Sequence, residues 1–341
     1  MHESTATLRG DNPPAVTPSH DPFLKVGLPP RVERPFRIIA FDWDGTAVAH
    51  RRENTDQLRE SVERLLRLGV ILVIISGTRF SHIDQQLSTA IRGAHKRNLF
   101  VSTNRGSEVY GFDARSRPVL IWRQMASREE NRLLSATVDA VGEAVVARTG
   151  LEVRVVNDRL NRRKIDLIPL PEWHDPPRSA IGDVWQVVEA RLRGAGLARG
   201  LREVLTLVER TARARGLAGT RLTADGKQVE VGLTDKSHAM DWLMRELARR
   251  RRIPPQEILI AGDEFGPIAG LEGSDYKMVT PQARRATIVS VGPEPGGIPP
   301  EVLHLGGGPP CFQALLAYQV ALHEQFWRPS QTGPMSLGRW R

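Results

Sequence analysis

Cysteine is nearly missing from this 341-residue chain, which has only Cys311. One thiol excludes an intramolecular disulfide framework and a cysteine-rich zinc site, and a reducing compartment is the simplest setting. Cys311 itself reads as a small core residue rather than a nucleophile. Aromatic residues are also few, at 6% of the chain, which is thin for a surface that stacks nucleobases. No run of about 18 uncharged apolar residues occurs, so no segment reads as a membrane-spanning helix. The N-terminal stretch mixes charges with prolines and lacks the apolar core of a signal peptide. A cytoplasmic protein that does not engage a membrane is expected.

Acidic residues are in deficit as well: 39 Asp and Glu face 48 Lys and Arg, a net charge of +9. Such a balance favours acidic partners, either phosphorylated metabolites or nucleic acid. The arginine-rich stretches 191–215 and 249–252 interleave arginine with leucine and alanine, as solvated helix faces do. With no recognition motif beside them, nucleic acid is not the expected partner. A hydrophobic content of 40% can fill one sizeable core plus an insertion.

The most informative residues that are present run from Arg37 to Thr46, Arg-Ile-Ile-Ala-Phe-Asp-Trp-Asp-Gly-Thr. An apolar strand, Ile38 to Phe41, ends in two carboxylates one residue apart, which is costly unless they are solvated or bind a cation. Gly45 lets the backbone turn tightly, and Thr46 offers a hydroxyl and an amide to an anion. The competing reading of these residues in isolation is a strand end followed by an ordinary Asp-Gly turn, and it is the weaker of the two.

Further along, Val70 to Ile75 is a second apolar strand that ends in Ser76-Gly77-Thr78-Arg79, and Leu99 to Ser102 reads as a third. Helices are expected over Glu53 to Leu68, with Thr55 as cap, and from His82 to Gly93. Near the other end, a helix from Ser237 to Arg250 precedes the strand Ile258 to Ala261, closed by Gly262-Asp263-Glu264. One more strand is expected over Thr287 to Val291 and a terminal helix over Phe312 to Phe326. Alternation of buried strands with helices predicts a parallel sheet covered on both faces, with ligands at its carboxyl ends.

Between these halves the pattern changes. Arg128 to Thr149 is helix-like, Leu151 to Val156 and Lys164 to Ile168 alternate like strands, and Ala180 to Leu192 is a helix. Leu205 to Arg215 suits helix or strand, and Gln228 to Gly232 a strand. The expected organisation is a disordered leader at 1–34, a core in two pieces at 35–114 and 232–325, an inserted unit at 115–231, and a loose tail at 326–341.

With Asp42, Asp44, Ser76, Lys236 and Asp263 in this order, the chain resembles the haloacid dehalogenase superfamily of phosphatases and phosphomutases. The resemblance implies a Rossmann-like α/β core with an inserted α+β cap. It implies that Asp42 attacks phosphorus to form an aspartyl-phosphate and that Asp44 is general acid and base. It implies further that Ser76 and Lys236 hold phosphoryl oxygens, with Thr46 and Gly77 expected beside them. Asp42, Asp44 through its main-chain carbonyl, and Asp263 are the expected magnesium ligands. Glu264 and Asp275 are weaker metal ligands, because Phe265 to Gly273 intervenes where a second acid is usually closer.

Asp44 and Ser76 are 32 residues apart, whereas Ser76 and Lys236 are 160 apart. A large cap between the second and third motifs resembles the sugar-phosphate phosphatase and phosphomannomutase branch. In the cap, Arg159, Asn161, Arg163 and Lys164 are candidates to contact the leaving group, against the simpler reading of a basic surface hairpin. Asn104 and Arg105 are candidates to line the entrance. The expected function is a Mg2+-dependent phosphatase acting on a small phosphorylated metabolite, with a sugar phosphate foremost. The alternatives are a sugar phosphomutase, and a non-catalytic regulatory or nucleic-acid-binding protein on the same scaffold.

Overall fold

The computed structural model describes residues 28–173, 181–224, 227–268 and 270–326. Most of the expected leader and nearly all of the expected tail lie outside these residues.

The first strand, β1 (Ile38–Asp42), is buried along its whole length, as an apolar run covered on both faces must be. Helix α1 (Asp56–Arg67) follows and buries Leu58, Val62, Leu65 and Leu66, the stripe set by its 3.6-residue period. Thr55 stands at its N-cap position, yet its hydroxyl donates to the Gln86 carbonyl instead of accepting from the helix. Next come β2 (Ile71–Ile75), α2 (Phe80–Gln86) and β3 (Leu99–Thr103). The helix expected to reach Gly93 stops at Gln86 and gives way to a 3-10 turn.

Two strands had no sequence expectation: β4 (Glu108–Phe112) and β5 (Pro118–Arg123) form an antiparallel hairpin on the β3 edge. Asp113 shapes their turn, its Oδ1 accepting the amides of Arg115 and Arg117. The boundary expected at 115 therefore falls before a strand of the large sheet, which continues to Arg123.

The inserted unit opens with α3 (Arg128–Thr149), the range read from the sequence. Ser127 and Glu130 close a capping box at its start, and Gly150 ends it in the left-handed conformation. It continues through β6 (Arg154–Arg159), β7 (Arg162–Asp166), α4 (Ile181–Gly194), α5 (Leu201–Ala214), β8 (Arg221–Ala224) and β9 (Gln228–Gly232). The chain then returns through α6 (Lys236–Trp242), which runs on as a π segment, Leu243–Ala248, into a last turn, α7 (Arg249–Arg251). Strands β10 (Ile258–Gly262), β11 (Thr287–Ser290) and β12 (Leu303–His304) and helix α8 (Gly308–Phe326) complete the fold.

The large sheet has the order β12-β11-β10-β1-β2-β3-β4-β5, parallel from β12 to β3. The second sheet, β6-β7-β9-β8, is antiparallel. Separate apolar clusters cover the two faces of the large sheet, one with α1 and α8, the other with α6. A third, between the small sheet and α3, α4 and α5, also takes in Ile268 from the loop after β10. That loop is thereby anchored in the inserted unit. Residues 30–34, expected within the leader, pack instead: Val32 is in the core, and Gln319 of α8 donates to the carbonyls of Val32 and Arg34. Among the described residues no helix is long and apolar enough to cross a membrane.

Candidate active site

β1 lies between β10 and β2, and the strand ends of this trio carry the polar residues. Asp42 ends β1, Asp263 follows β10, and Ser76 follows β2, whose Ile75 is the register partner of Asp42. Lys236 is delivered by α6. Asp235 caps that helix, its Oδ1 accepting the Ser237 amide at 2.9 Å. Hydrogen bonds from His238 and Ser237 outweigh burial and hold the Asp235 carboxyl down at about 2.

Lys236 Nζ stands 2.5 Å from Asp42 Oδ1 and 2.5 Å from Asp275 Oδ1, and all three residues are buried. Burial opposes the ammonium, but the two carboxylates outweigh it and keep Lys236 charged, above its usual range. The Asp42 carboxyl is pushed up to about 7, by burial first and also by the neighbouring Asp275. Lys236 pulls it the other way. Asp275 goes down despite its burial, because it accepts from Lys236 and from the amides of Asp263 (2.8 Å) and Glu264 (2.9 Å).

Carboxylate oxygens of Asp42, Asp263 and Asp275 lie within 4.8 Å of one another. Opposite ligands of a Mg2+ ion are separated by about 4 Å, so this spacing suits an all-oxygen site. Charge points the same way. Three carboxylates against one lysine leave a buried double negative charge that a divalent cation neutralises. Thr46, expected to meet phosphate, donates its hydroxyl to Asp263 Oδ1 at 2.8 Å and so orients that carboxylate. Gly45 has φ +95°, and a β-carbon there would sit 2.2 Å from Asp263 Oδ2. Only glycine satisfies both the turn and the approach.

Asp44 is half-buried at the rim, with Oδ1 3.6 Å from Arg51 Nε, and the Gly45 amide closes its turn on the Val48 carbonyl at 2.7 Å. Ser76 is buried, its Oγ accepting the Thr78 amide at 3.0 Å. Asp42, Asp263, Asp275 and Lys236 thus meet in one cluster, with Thr46 against it and Asp44 and Ser76 on the adjoining loops.

Other expected residues go elsewhere. Glu264 accepts from Ser274 Oγ at 2.8 Å and is not in the carboxylate cluster. Asn161 is buried in the connections between the two sheets, where its amide donates to Ser107 Oγ and the Gln124 carbonyl and its Oδ1 accepts the Ala126 amide. It therefore ties these connections together, with both of its amide hydrogens engaged. Lys164 reaches the neighbouring strand, 2.6 Å from Glu230 Oε1 and 2.7 Å from Gln228 Oε1. Arg163 is turned back onto Ser135 and Asn131 of α3. Arg159 is on the turn side of β6, 3.7 Å from Asp158, and Asp158 in turn meets Arg79 of the core at 2.9 Å. Asn104 donates to Glu108 at 2.8 Å, while Arg105 pairs with Glu230.

Asp275 is the residue whose weight the sequence underrated. A loop with no periodicity separates it from Asp263, and the one signal was Gly262, where a β-carbon would meet Asp275 Oδ2 at 2.5 Å. Arg162 and Glu230 had no signal as a pair, being 68 residues apart on strands that become neighbours only in the folded sheet.

An α/β core with this strand order, acids at the ends of β1 and β10, and an antiparallel unit inserted before the lysine helix has the haloacid dehalogenase fold. No family model and no curated protein sequence matches the chain. Solved structures do. N-terminally truncated IMP-nucleotidase of Plasmodium falciparum superposes with a TM-score of 0.56 at 12% identity, over 86% of this chain and 73% of that one. Trehalose-6-phosphate phosphatase of Aspergillus fumigatus gives 0.50 at 16% identity, over 85% of this chain and 95% of that one. At such identities the likeness establishes the fold, and the reaction must be argued from the residues.

Proposed function

We propose that this chain is a Mg2+-dependent phosphoric monoester hydrolase acting on a small phosphorylated metabolite, a sugar or nucleotide phosphate, through an aspartyl-phosphate. The observation that carries the reading is the convergence of Asp42, Asp263, Asp275 and Lys236, four buried charges from three separate segments. A structural role does not account for such concentrated, costly charge. Magnesium would be held by Asp42 and Asp263, with the Asp44 main-chain carbonyl. Asp275, whose oxygens already serve Lys236 and two amides, anchors that set. The ion supplies charge neutralisation between a carboxylate nucleophile and an anionic phosphoryl group.

An Asp42 carboxylate oxygen attacks phosphorus while the bond from phosphorus to the leaving oxygen breaks. Asp44 gives its proton to that oxygen as it departs. Water then attacks phosphorus, passing a proton to the Asp44 carboxylate, and the acyl-phosphate bond breaks to restore Asp42. Lys236 balances the charge of Asp42 and of the moving group throughout. Ser76 and Gly77 stand at a strand-to-helix junction, where amides converge on phosphoryl oxygens. The inserted unit, whose Arg162 donates to the Gly77 carbonyl, would close toward the site and exclude water beyond the one required.

The test is phosphate release from a panel of sugar and nucleotide monophosphates with and without Mg2+, on the parent chain and Asp42→Asn. Release that needs Mg2+ and falls at least about 1,000-fold in the variant supports the reading. Conversion of a sugar phosphate without release makes the protein a phosphomutase, and full activity in the variant removes Asp42 as nucleophile.

A further inference from the structure

The loop that leaves β10 begins and ends in the carboxylate cluster. Asp263 opens it and Asp275 closes it, with Asp275 Oδ2 accepting the amides of Asp263 and Glu264 at 2.8 and 2.9 Å. The Asp275 amide donates in turn to the Glu264 carbonyl at 2.9 Å. The two ends are cinched together. Between them the chain travels to the inserted unit, where Ile268 and Leu271 exchange amide-to-carbonyl hydrogen bonds at 2.8 and 2.9 Å and form a tight turn. Ile268 is buried in the apolar cluster that α3, α4 and α5 build on the small sheet, and Leu271 packs against the same cluster. Gly270 brings the turn to α5, a β-carbon there lying 3.6 Å from Arg202 Nη1.

A second loop, after β11, braces the first. Glu294 is buried and accepts the amides of Phe265 at 2.9 Å and Gly266 at 2.6 Å, while Ser290 Oγ donates to it at 2.5 Å. Gly266 and Gly296 leave no room for β-carbons, which would collide with the carbonyls of Gly297 and Pro267. Pro295 reaches the inserted unit as well, its Cβ 3.8 Å from where a β-carbon at Gly182 of α4 would stand. The two loops form one strut from the carboxylates to the core of the insertion. The chain itself crosses between core and insertion only from β5 to α3 and from β9 to α6. The strut is a further, non-covalent attachment, and it leads straight to two acids of the site.

We infer that Ile268 is a positioning residue for the Mg2+ site: seated in the core of the inserted unit, it ties the affinity of the Asp263 cluster for the ion to the docking of that unit. The inference rests on Asp263 as a metal ligand, as read above, and adds a regulation of that same site. Such coupling is reciprocal. A docked insertion holds the loop, and through it Asp263, in the geometry that suits the ion. A bound ion fixes Asp263 and so favours the docked insertion.

Mg2+ alone is titrated by calorimetry into the parent chain, Ile268→Ala, Ile268→Val and Leu134→Ala, the last truncating the same apolar cluster from α3, outside the loop. The Kd for Mg2+ is expected to rise at least about fivefold in Ile268→Ala and to stay within about twofold of the parent in the other two. Release of phosphate from p-nitrophenyl phosphate by Ile268→Ala should need correspondingly more Mg2+ and recover when Mg2+ is saturating. Hydrogen exchange on the parent chain needs no variant to fold: Mg2+ should slow exchange in α5, which supplies no acid to the cluster. A Kd in Ile268→Ala equal to that of the parent, an equal loss in Leu134→Ala, or protection confined to residues 42–46 and 263–275 overturns the inference while leaving the phosphatase reading intact. Failure of the parent chain to bind Mg2+ removes the metal site and the inference with it.

Discussion

Lys236 Nζ and Asp42 Oδ1 are 2.5 Å apart across 194 residues of sequence. The contact joins the end of β1 to the start of α6, on either side of the inserted unit. Nothing between them in sequence enforces it. It exists because β1 and β10 are neighbours in the sheet and α6 packs against that face.

Replacing the ammonium leaves Asp42 and Asp275 as buried like charges without their shared partner. Lys236→Met is expected to lose about 3–5 kcal/mol of stability in metal-free buffer. Mg2+ should restore part of that loss, since it replaces the missing positive charge. Thermal melts with EDTA and with Mg2+ measure both quantities, and a variant as stable as the parent in EDTA contradicts the charge argument.

Gly45 tests the carboxylate cluster from a different side. A methyl group there collides with Asp263 and adopts a left-handed φ. Gly45→Ala should cost at least about 1 kcal/mol from the backbone alone. Because Asp263 must move, the Mg2+-induced rise in melting temperature should shrink as well. A Mg2+ response equal to that of the parent chain argues against Asp263 as a ligand.

Asn161, a candidate substrate contact, is bonded to the connections between the two sheets. Asn161→Ala removes three side-chain hydrogen bonds that tie the β6–β7 turn to residues 107, 124 and 126. The expected loss is about 2–3 kcal/mol. Limited proteolysis should then cut the connection near Gln124 faster than in the parent. A loss of activity with neither change would return Asn161 to a role in substrate contact.

Acid stability should depend on Asp235. Its carboxyl titrates at about 2 in the folded chain against an ordinary 3.8. The folded pKa is the lower one, so the stabilisation is fully present above about pH 4 and is lost as pH falls toward 2. The difference corresponds to about 2 kcal/mol. Urea unfolding of Asp235→Asn between pH 5 and pH 2 should give a shallower decline than the parent. Parallel curves would mean that Asp235 carries no such linkage.

Much of this protein was legible in residue order alone. Continuous apolar runs such as Ile38 to Phe41 and Ile71 to Ile75 suit only strands covered on both faces, and α3 is bounded by its own capping box and terminal glycine. Asp42 and Asp263 were visible because each sits at the end of such a strand, and Lys236 because it opens a helix. Strands β4 and β5 were missed since an edge hairpin with an exposed face carries little periodic signal.

Tertiary structure decided everything that depends on which side chains share a charge. Asp275 is central because the chain folds it over Gly262, Asn161 is a fastener because two connections pass beside it, and Glu230 gathers Arg105, Arg162 and Lys164 because strand pairing brings them together. Burial and electrostatic energy are properties of spatial neighbours. Local sequence determines the elements, and only their packing determines which buried charges must answer one another.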